Sequence, residues 1–293
     1  MCYKAMLLAY IVWVTSLYLS IISLCLNEEA KMNAKLLIFI FMVFVNSVFA
    51  IEVDKCSQKI ASPNINWSEC DFSNSNLSGA NLMGANLSYA NLQGVNLEGA
   101  FLIEAKFNKA NLGGANLVNA NLQRANLPDA VLEKTKLKGA LLRGANLEGA
   151  NLKRAENLVD TVDLPDAVLK NADLSYVNLK NMNLSNKDLS GVNFDHAVLD
   201  GANLSNSTLT GANFTYARLL GTHLVGARLM NSNLINADLT GADLSYANLN
   251  GAKLHYTEAL FMRHAAKFDK VKLSHTIWND GKECSKESVG KCE

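Results

Sequence analysis

The stretch LSGANLMGANLSYANLQGVNLEGAFL, residues 77–102, places a large apolar residue at every fifth position. The same rule holds from Trp67 to Leu152 and again from Leu169 to Leu254, with leucine at most of these positions. A small residue, usually alanine, precedes each large one by two positions, and asparagine or aspartate mostly stands between them. Because this period is neither that of a helix nor that of a strand, it predicts a coil that changes direction once per repeat.

Glycine marks the corners of this coil. Of the 18 glycines, 15 lie two residues after the large apolar residue, as Gly79 does after Leu77. The third position of a type II turn needs a positive φ, which glycine and then asparagine adopt at least cost. Each pentapeptide is therefore predicted to form one side and one corner.

The pattern resembles the pentapeptide-repeat family, in strings such as Ala80-Asn81-Leu82-Met83-Gly84. The likeness runs from about Cys56 to Cys292, and the cysteine-bearing ends are similar to those of exported bacterial members. The resemblance implies an all-β fold, a right-handed quadrilateral β-helix with four pentapeptides per turn and about ten coils. The large and the small residue of each repeat would point inward.

Departures from the period divide the chain. The spacing after Leu152 indicates two single-residue insertions near Asn157 and Asp160–Val162, which would bulge the coil without ending it. Lys187 stands at an inward position, so either the wall opens there or its stem reaches outward. Past residue 254 the pattern falters at 257–265, as a loop or helical turn would. The predicted organisation is a cap (51–66), a first run (67–154), a bulge (155–166), a second run (167–256) and a C-terminal loop with a disulfide cap (257–293).

The first fifty residues contain two apolar stretches. Residues 32–50, MNAKLLIFIFMVFVNSVFA, have the basic, apolar and small-residue regions of a signal peptide cleaved after Ala50. Residues 1–31 are then an over-extended start, and the mature chain, without a membrane span, is periplasmic or secreted from a bacterium. The alternative keeps Ala5–Leu26 as a membrane helix and 36–50 as a second one, which would anchor the protein with its repeats in the cytoplasm.

Four cysteines beyond this segment form two local pairs, Cys56 with Cys70 and Cys284 with Cys292. An even number in close pairs favours an oxidising compartment and a disulfide at each end of the array. Each would stabilise the protein by on the order of 3 kcal/mol through loop closure. The alternative is that Cys70 is a small buried thiol.

One outer corner stands out once twenty-residue coils are stacked. A candidate binding ladder of basic and aromatic residues follows the inward residue by two positions on successive coils, with Asn236 interrupting it. Its members are Lys134, Arg154, Tyr176, His196, Tyr216 and Tyr256. These groups would stack on sugar rings or planar ligands, or supply aromatic contacts to a protein. The alternative is that they stack on one another for stability alone.

No catalytic, metal-binding or cofactor-binding pattern is found, so we expect neither an enzyme nor a cofactor. Removing residues 1–50 takes away three lysines and two glutamates, which leaves 24 basic and 25 acidic residues. The sequence therefore favours a non-enzymatic exported scaffold that binds a protein or cell-envelope component. Such a scaffold could form a dimer, and we do not expect nucleic acid as a partner. The alternative is a cytoplasmic DNA mimic that interacts with topoisomerase, for which a near-neutral chain lacks the acidic surface.

Overall fold

The computed structural model describes residues 55–57, 60–158, 164, 166–254, 266–278 and 280–292. All of them belong to one compact unit, Lys55–Glu293. The proposed signal peptide, the second inserted position and the loop at 257–265 lie outside the described residues. No described helix is long and apolar enough to cross a membrane.

The described chain pairs through isolated single-residue parallel bridges, with no longer strand and no α-helix. A bridge residue such as Asn66 pairs with the residue twenty positions later, Asn86, and the next bridge starts five residues on, at Asp71. Four series of bridges therefore run along the solenoid. This arrangement confirms the β-helix, whereas its handedness and its number of coils remain predictions.

The four series define four walls, named here in chain order. Wall 1 carries Asn66, Asn86, Lys106, Asn126, Asn146, Val168, Asp188, Thr208, Arg228, Asn248 and Lys272. Wall 2 carries Asp71, Asn91, Asn111, Val131, Asn151, Asp173, Asn193, Asn213, Asn233, Lys253 and Ile277. Wall 3 carries Asn76, Asn96, Asn116, Lys136, Glu156, Asn178, Val198, Arg218 and Asp238. Wall 4 carries Asn81, Phe101, Asn121, Leu141, Asn183, Asn203, His223, Asp243 and Lys267.

The sequence separation between paired bridge residues changes at both interruptions of the sequence pattern. Across the bulge, Asn151 pairs with Asp173, a separation of 22 rather than 20, as two single-residue insertions require. Across the second interruption, Asp243 pairs with Lys267, a separation of 24. Because the separation returns to 20 between the two, the inserted residues are accommodated locally and the walls continue beyond them.

Each corner is a tight turn closed by the local backbone. In the turn after Leu82, the Ala85 amide donates to the Leu82 carbonyl at 3.0 Å, and Gly84 has φ +66°. A Cβ on Gly84 would come within 2.3 Å of Asn64 Oδ1 in the coil below, so a larger residue there would have to displace that side chain as well as adopt the left-handed φ. The predicted corner geometry is confirmed, and non-glycine residues adopt the same left-handed conformation at many other corners.

The interior is filled by the large and small residues of the repeat. From Leu82 to Leu254 the inward leucines are at most 5% exposed, and the paired alanines fill the space between them. Phe194 and Phe214 stack inside wall 2 with ring centroids 4.9 Å apart. Side chains therefore fill the interior of the described coils, as in the core of a globular protein rather than in a channel.

Lys187 follows neither of the two expectations, because its ammonium makes backbone contacts with the coil below. It is half-buried, and its ammonium donates to the carbonyl oxygens of Leu164 at 2.7 Å and Ala167 at 3.5 Å, next to the bulge. Burial lowers the pKa of Lys187, and the charge of Asp166 acts in the opposite direction. Thr222, at the same position of a later repeat but before wall 4, donates to the Leu199 carbonyl in the same way, so the lysine makes a contact that a hydroxyl makes elsewhere.

The structure contains a disulfide at each end. Cys56 is bonded to Cys70, and Cys284 is bonded to Cys292. Cys70 is 1% exposed and Cys56 packs against the core, so the first bond lies against the core. The chain after Trp278 turns back and pairs antiparallel with the last coil, through Lys272 with Val289 and Ile277 with Glu283.

Candidate binding ladder

The ladder residues occupy the corner that follows wall 2, and the wall itself fixes their backbone. The carboxylate or amide oxygens of Asp173, Asn193 and Asn213 accept the amide hydrogens of the residues two positions later, at 2.9, 3.2 and 3.1 Å. The amides of Asn193 and Asn213 also donate along the wall to the side chain one coil below, at 3.0 and 2.9 Å. The next residue after each of these turns is a ladder residue, which therefore projects from the same place on every coil.

Four ladder side chains form one continuous column. The Arg154 guanidinium lies 5.1 Å from the centroid of the Tyr176 ring. Tyr176 and His196 stack at 4.7 Å with an interplanar angle of 11°, and His196 and Tyr216 at 4.9 Å with 30°. Tyr176 is 43% and Tyr216 is 53% exposed. The ring faces between Arg154 and Tyr216 are covered by the next group, so this part of the column presents its edges to solvent.

The distance between neighbouring rings limits how a ligand could bind to the ladder. Rings 4.7–4.9 Å apart leave no room for a sugar or a base between them, since they are already in stacking contact. The predicted stacking of sugar rings on the faces of inner ladder residues is therefore not what this geometry offers. Contacts along the edges, through the phenolic hydroxyls and the imidazole, remain open.

The backbone of the ladder is costly for the residues that occupy it. Arg154, Tyr176, His196 and Tyr216 have φ of 55°, 61°, 55° and 53°, in the left-handed region where a bulky side chain costs about 1–2 kcal/mol. A stacked pair returns about 0.5–1.5 kcal/mol. Other corners of this chain place asparagine at the same φ, as Asn206 and Asn231 do. The cost of the left-handed backbone and the gain from stacking nearly cancel, so stacking alone gives little net stabilisation from aromatic residues at this corner.

The centre of the column is polar. Asp195, on the neighbouring position of the turn, holds His196 Nδ1 at 2.9 Å from its carboxylate. A ligand at this corner would therefore meet the other imidazole nitrogen. The Lys153 ammonium is 5.7 Å from the Tyr176 ring, so two cations contact the lower end of the column.

The remaining predicted site residues lie as follows. Lys134 is one coil below Arg154, where its amide donates to the Lys153 carbonyl at 3.0 Å, and its ammonium is 3.7 Å from Glu133. Asn236 continues the corner above Tyr216 without a ring, and Tyr256 lies outside the described residues. The twenty-residue spacing predicted the column but missed Lys153 and Asp195, which precede ladder residues by one position and repeat on no other coil.

No cluster of three histidine, cysteine or acidic side chains suited to a metal ion occurs among the described residues. His275 contacts Glu283 across the C-terminal hairpin. The chemistry that the described surface displays is therefore that of non-covalent contact, concentrated at the ladder.

Comparison with known proteins agrees with this architecture. The pentapeptide-repeats family matches in eight copies, over residues 65–102, 85–124, 125–156, 162–186, 188–224 and 222–255. The fold is therefore that of a pentapeptide-repeat β-helix. This chain belongs to the pentapeptide-repeat family. No curated protein matches it significantly.

Solved structures of the family are similar to parts of the chain. HetL of the cyanobacterium Nostoc, a protein involved in heterocyst differentiation regulation, is 31% identical, with 80% of this chain and 97% of HetL covered and a TM-score of 0.38. A protein of the Arabidopsis thaliana thylakoid lumen is 22% identical, covering 42% and 86%, with a TM-score of 0.28. QnrB1, a plasmid-mediated fluoroquinolone resistance protein, is 20% identical, covering 65% and 93%, with a TM-score of 0.30. These roles are those of the named proteins.

Proposed function

We propose that this protein is an exported, non-enzymatic scaffold that binds a protein or a cell-envelope component through the ladder. The observation that carries the proposal is the exposed column from Arg154 to Tyr216. Its residues occupy left-handed corners where asparagine is cheaper, and the stacking energy barely offsets that cost. Bulky residues such as Tyr89 and Arg124 occupy left-handed corners outside the ladder as well, so the stacked column, rather than the backbone cost, distinguishes this corner.

Export is supported by the disulfides. Both bonds join cysteines close in sequence at the two ends of the coil, and such bonds persist in oxidising compartments. The signal-peptide pattern of residues 32–50 points the same way. Intact-mass analysis of an extracytoplasmic fraction tests this part: a chain beginning at Ile51 without free thiols is expected, and a cytosolic chain retaining residues 1–50 with free thiols contradicts it.

The non-enzymatic part rests on the filled interior. Inward leucines and alanines of the described coils are almost fully buried, which leaves the flat outer walls and corners as the surface for contact. A DNA-mimicking role would need a strongly acidic surface. Basic residues such as Arg124 and Arg218 instead pair with acidic ones along these walls.

The ladder is tested by a variant that removes its rings without straining the backbone. Tyr176→Asn, His196→Asn and Tyr216→Asn, combined, install the residue that other corners use at the same φ. The matched control is Tyr89→Asn with Tyr246→Asn, which removes two tyrosines at equally exposed corners after walls 1 and 4.

The measurement is retention of the purified protein on an envelope fraction from the organism that makes it. We expect the ring variant to lose most of its binding and the control to keep it, with melting temperatures changed by only a few degrees in both. Unchanged retention of the ring variant contradicts the proposal. A large fall in its melting temperature would instead support stacking for stability.

A further inference from the structure

Five cationic side chains gather at the foot of the ladder. Lys134 and Arg154 lie one above the other at the corner, and Lys153 precedes Arg154. Lys136 is the wall 3 residue just beyond this corner, and Lys138 lies on the far side of wall 3, in the next turn. All five come from two successive coils, and all except the half-buried Lys153 are exposed. This set is called the basic corner below.

The basic corner carries an excess of positive charge. Glu133 is the one carboxylate within ion-pair distance of these cations among the described residues, 3.7 Å from Lys134. Glu156 faces Lys136 across wall 3 without forming an ion pair. Among the described residues, these two acidic side chains against five cations leave three positive charges in excess. The chain as a whole is neutral, so this is a local concentration of charge.

The two parts of the surface form one track along the solenoid. Arg154 and Lys153 both contact the Tyr176 ring, at 5.1 and 5.7 Å, so the cationic foot passes directly into the aromatic column. Above it, His196 is paired with Asp195, which leaves the upper part of the column without excess charge. A ligand matching this track has anionic groups at one end and neutral hydrogen-bonding groups along the rest.

We infer that the track binds a linear anionic glycan, an inference that rests on the proposed function and names the class of its partner. Carboxylate or phosphate groups of the glycan contact the basic corner, and its hydroxyls hydrogen-bond the edges of Tyr176, His196 and Tyr216. Single-stranded nucleic acid is disfavoured because it stacks its bases on aromatic faces. The inner ring faces of the column are covered here by neighbouring groups.

The experiment titrates the protein with oligogalacturonate, with a phosphodiester-linked glycopolymer, with a neutral maltooligosaccharide of similar length and with single-stranded DNA. The test variant combines Lys136→Gln, Lys138→Gln, Lys153→Gln and Arg154→Asn. The control combines Lys106→Gln with Lys109→Asn, which removes two exposed cations from wall 1 and its corner. Asparagine suits the left-handed φ of 55° at both replaced corner positions, Lys109 and Arg154.

We expect at least one of the two anionic polymers to bind, more weakly as salt rises, and the neutral one to bind at least tenfold more weakly. The corner variant should lose at least tenfold in affinity while the control stays within twofold. Whichever anionic polymer binds identifies the source of the charge. Equal binding of the neutral glycan, unchanged binding by the corner variant, or tighter binding of single-stranded DNA overturns the inference.

The two proposals fail separately. Envelope retention that depends on the rings, together with no binding of either anionic polymer, overturns the anionic glycan and leaves the proposed function in place. Binding of an anionic polymer that is lost in the corner variant supports the inference. If the ring variant keeps full envelope retention, the proposed function fails first.

Discussion

The two ends of this solenoid are closed by different means. At the N-terminal end, the disulfide Cys56–Cys70 and the fully buried Trp67 cover one side of the first coil. The backbone N–H and C=O groups of Asn66, Asp71, Asn76 and Asn81, the first residues of the four walls, make no hydrogen bond among the described residues, so this end presents an open edge. At the C-terminal end, a chain running in the reverse direction pairs with walls 1 and 2.

The difference shows what closing a repeat array requires. A disulfide and a large side chain keep water from the core, but they leave the backbone of the last coil unpaired. A hairpin satisfies backbone groups too: Leu273 donates to Ser288 at 3.0 Å and Gly290 to Val271 at 2.8 Å. The N-terminal closure therefore depends on packing and a covalent bond, and the C-terminal closure on hydrogen bonding as well.

The largest effect is expected from the two cap tryptophans. Trp67→Ala removes a fully buried side chain in contact with Phe72 and should cost about 3–5 kcal/mol. Trp278→Ala removes a partly buried ring that meets Phe268 edge to face and should cost about 1–2 kcal/mol. Urea unfolding followed by circular dichroism measures both, since tryptophan fluorescence changes with the substitution itself. Equal losses would mean that the two ends close alike.

Removing the disulfides should have the next largest effect. Replacing Cys56 and Cys70 by serine opens a loop of sequence separation 14, and replacing Cys284 and Cys292 opens one of 8. Loop-closure entropy gives about 3 and about 2.5 kcal/mol. Because each coil contacts only its neighbours, the loss should appear as local fraying.

Hydrogen exchange locates that fraying. The first variant should lose protection at the Trp67 and Glu69 amides, and the second at the Leu273 and Gly290 amides, which the structure shows hydrogen-bonded. Reductant added to the wild-type protein provides the control, because it should reproduce both patterns together. Protection lost uniformly along the chain would contradict end-specific closure.

The open edge itself is tested in the unmodified protein by amide exchange. The amides of Asp71, Asn76 and Asn81 should exchange rapidly, since they have no acceptor. One coil later, Asn91, Asn96 and Phe101 donate to Cys70, Ser75 and Ala80 at 2.9 Å and should be protected. The same position on the same wall thus serves as its own control. Equal protection in both coils would show that another chain or segment covers the edge in solution.

Sequence periodicity predicted this contrast only in part. Each inward leucine and each corner glycine follows from a rule repeated many times, because a core of stacked coils demands the same residue at the same place. The bulge was visible because the period shifts by single residues around Asn157. The C-terminal hairpin was not, since Lys282–Gly290 has no period and pairs by backbone groups that any residue carries.

Part of the candidate site, too, was predictable from the sequence and part was not. The column from Arg154 to Tyr216 was predictable because its members recur at one corner once every coil. Its ring spacing and covered faces were not, because they depend on rotamers rather than on position. The basic corner was missed because Lys136, Lys138 and Lys153 occupy variable outer positions, which the repeat leaves free and which come together only when two coils are stacked.

The smallest expected effect is a difference between the two ends in how their stability depends on pH. Asp71 at the open edge has a pKa below its ordinary value of 3.8, because the Ser73 amide and hydroxyl and the Asn91 amide donate to its carboxylate. Asp243 near the other end has a lowered pKa through the Ser245 hydroxyl and amide and the Lys267 ammonium. Desolvation opposes the lowering in both. A carboxyl whose pKa is lower in the folded state adds stability above pH 3.8, and that stability is lost as pH falls through the folded value.

Asp71→Asn keeps an acceptor for Ser73, as Asn66 does for Ser68 and for Asn86 one coil later, but removes the titrating group. This variant should lose less protection in its first coil than the wild type between pH 5 and pH 3, and Asp243→Asn should act in the same sense at the Lys267 end. The Asp243 effect should be the larger of the two and should shrink in high salt, because it includes an ion pair and Asp71 has none. An acid response at Asp71 that salt abolishes would show instead that an unseen cation covers the open edge.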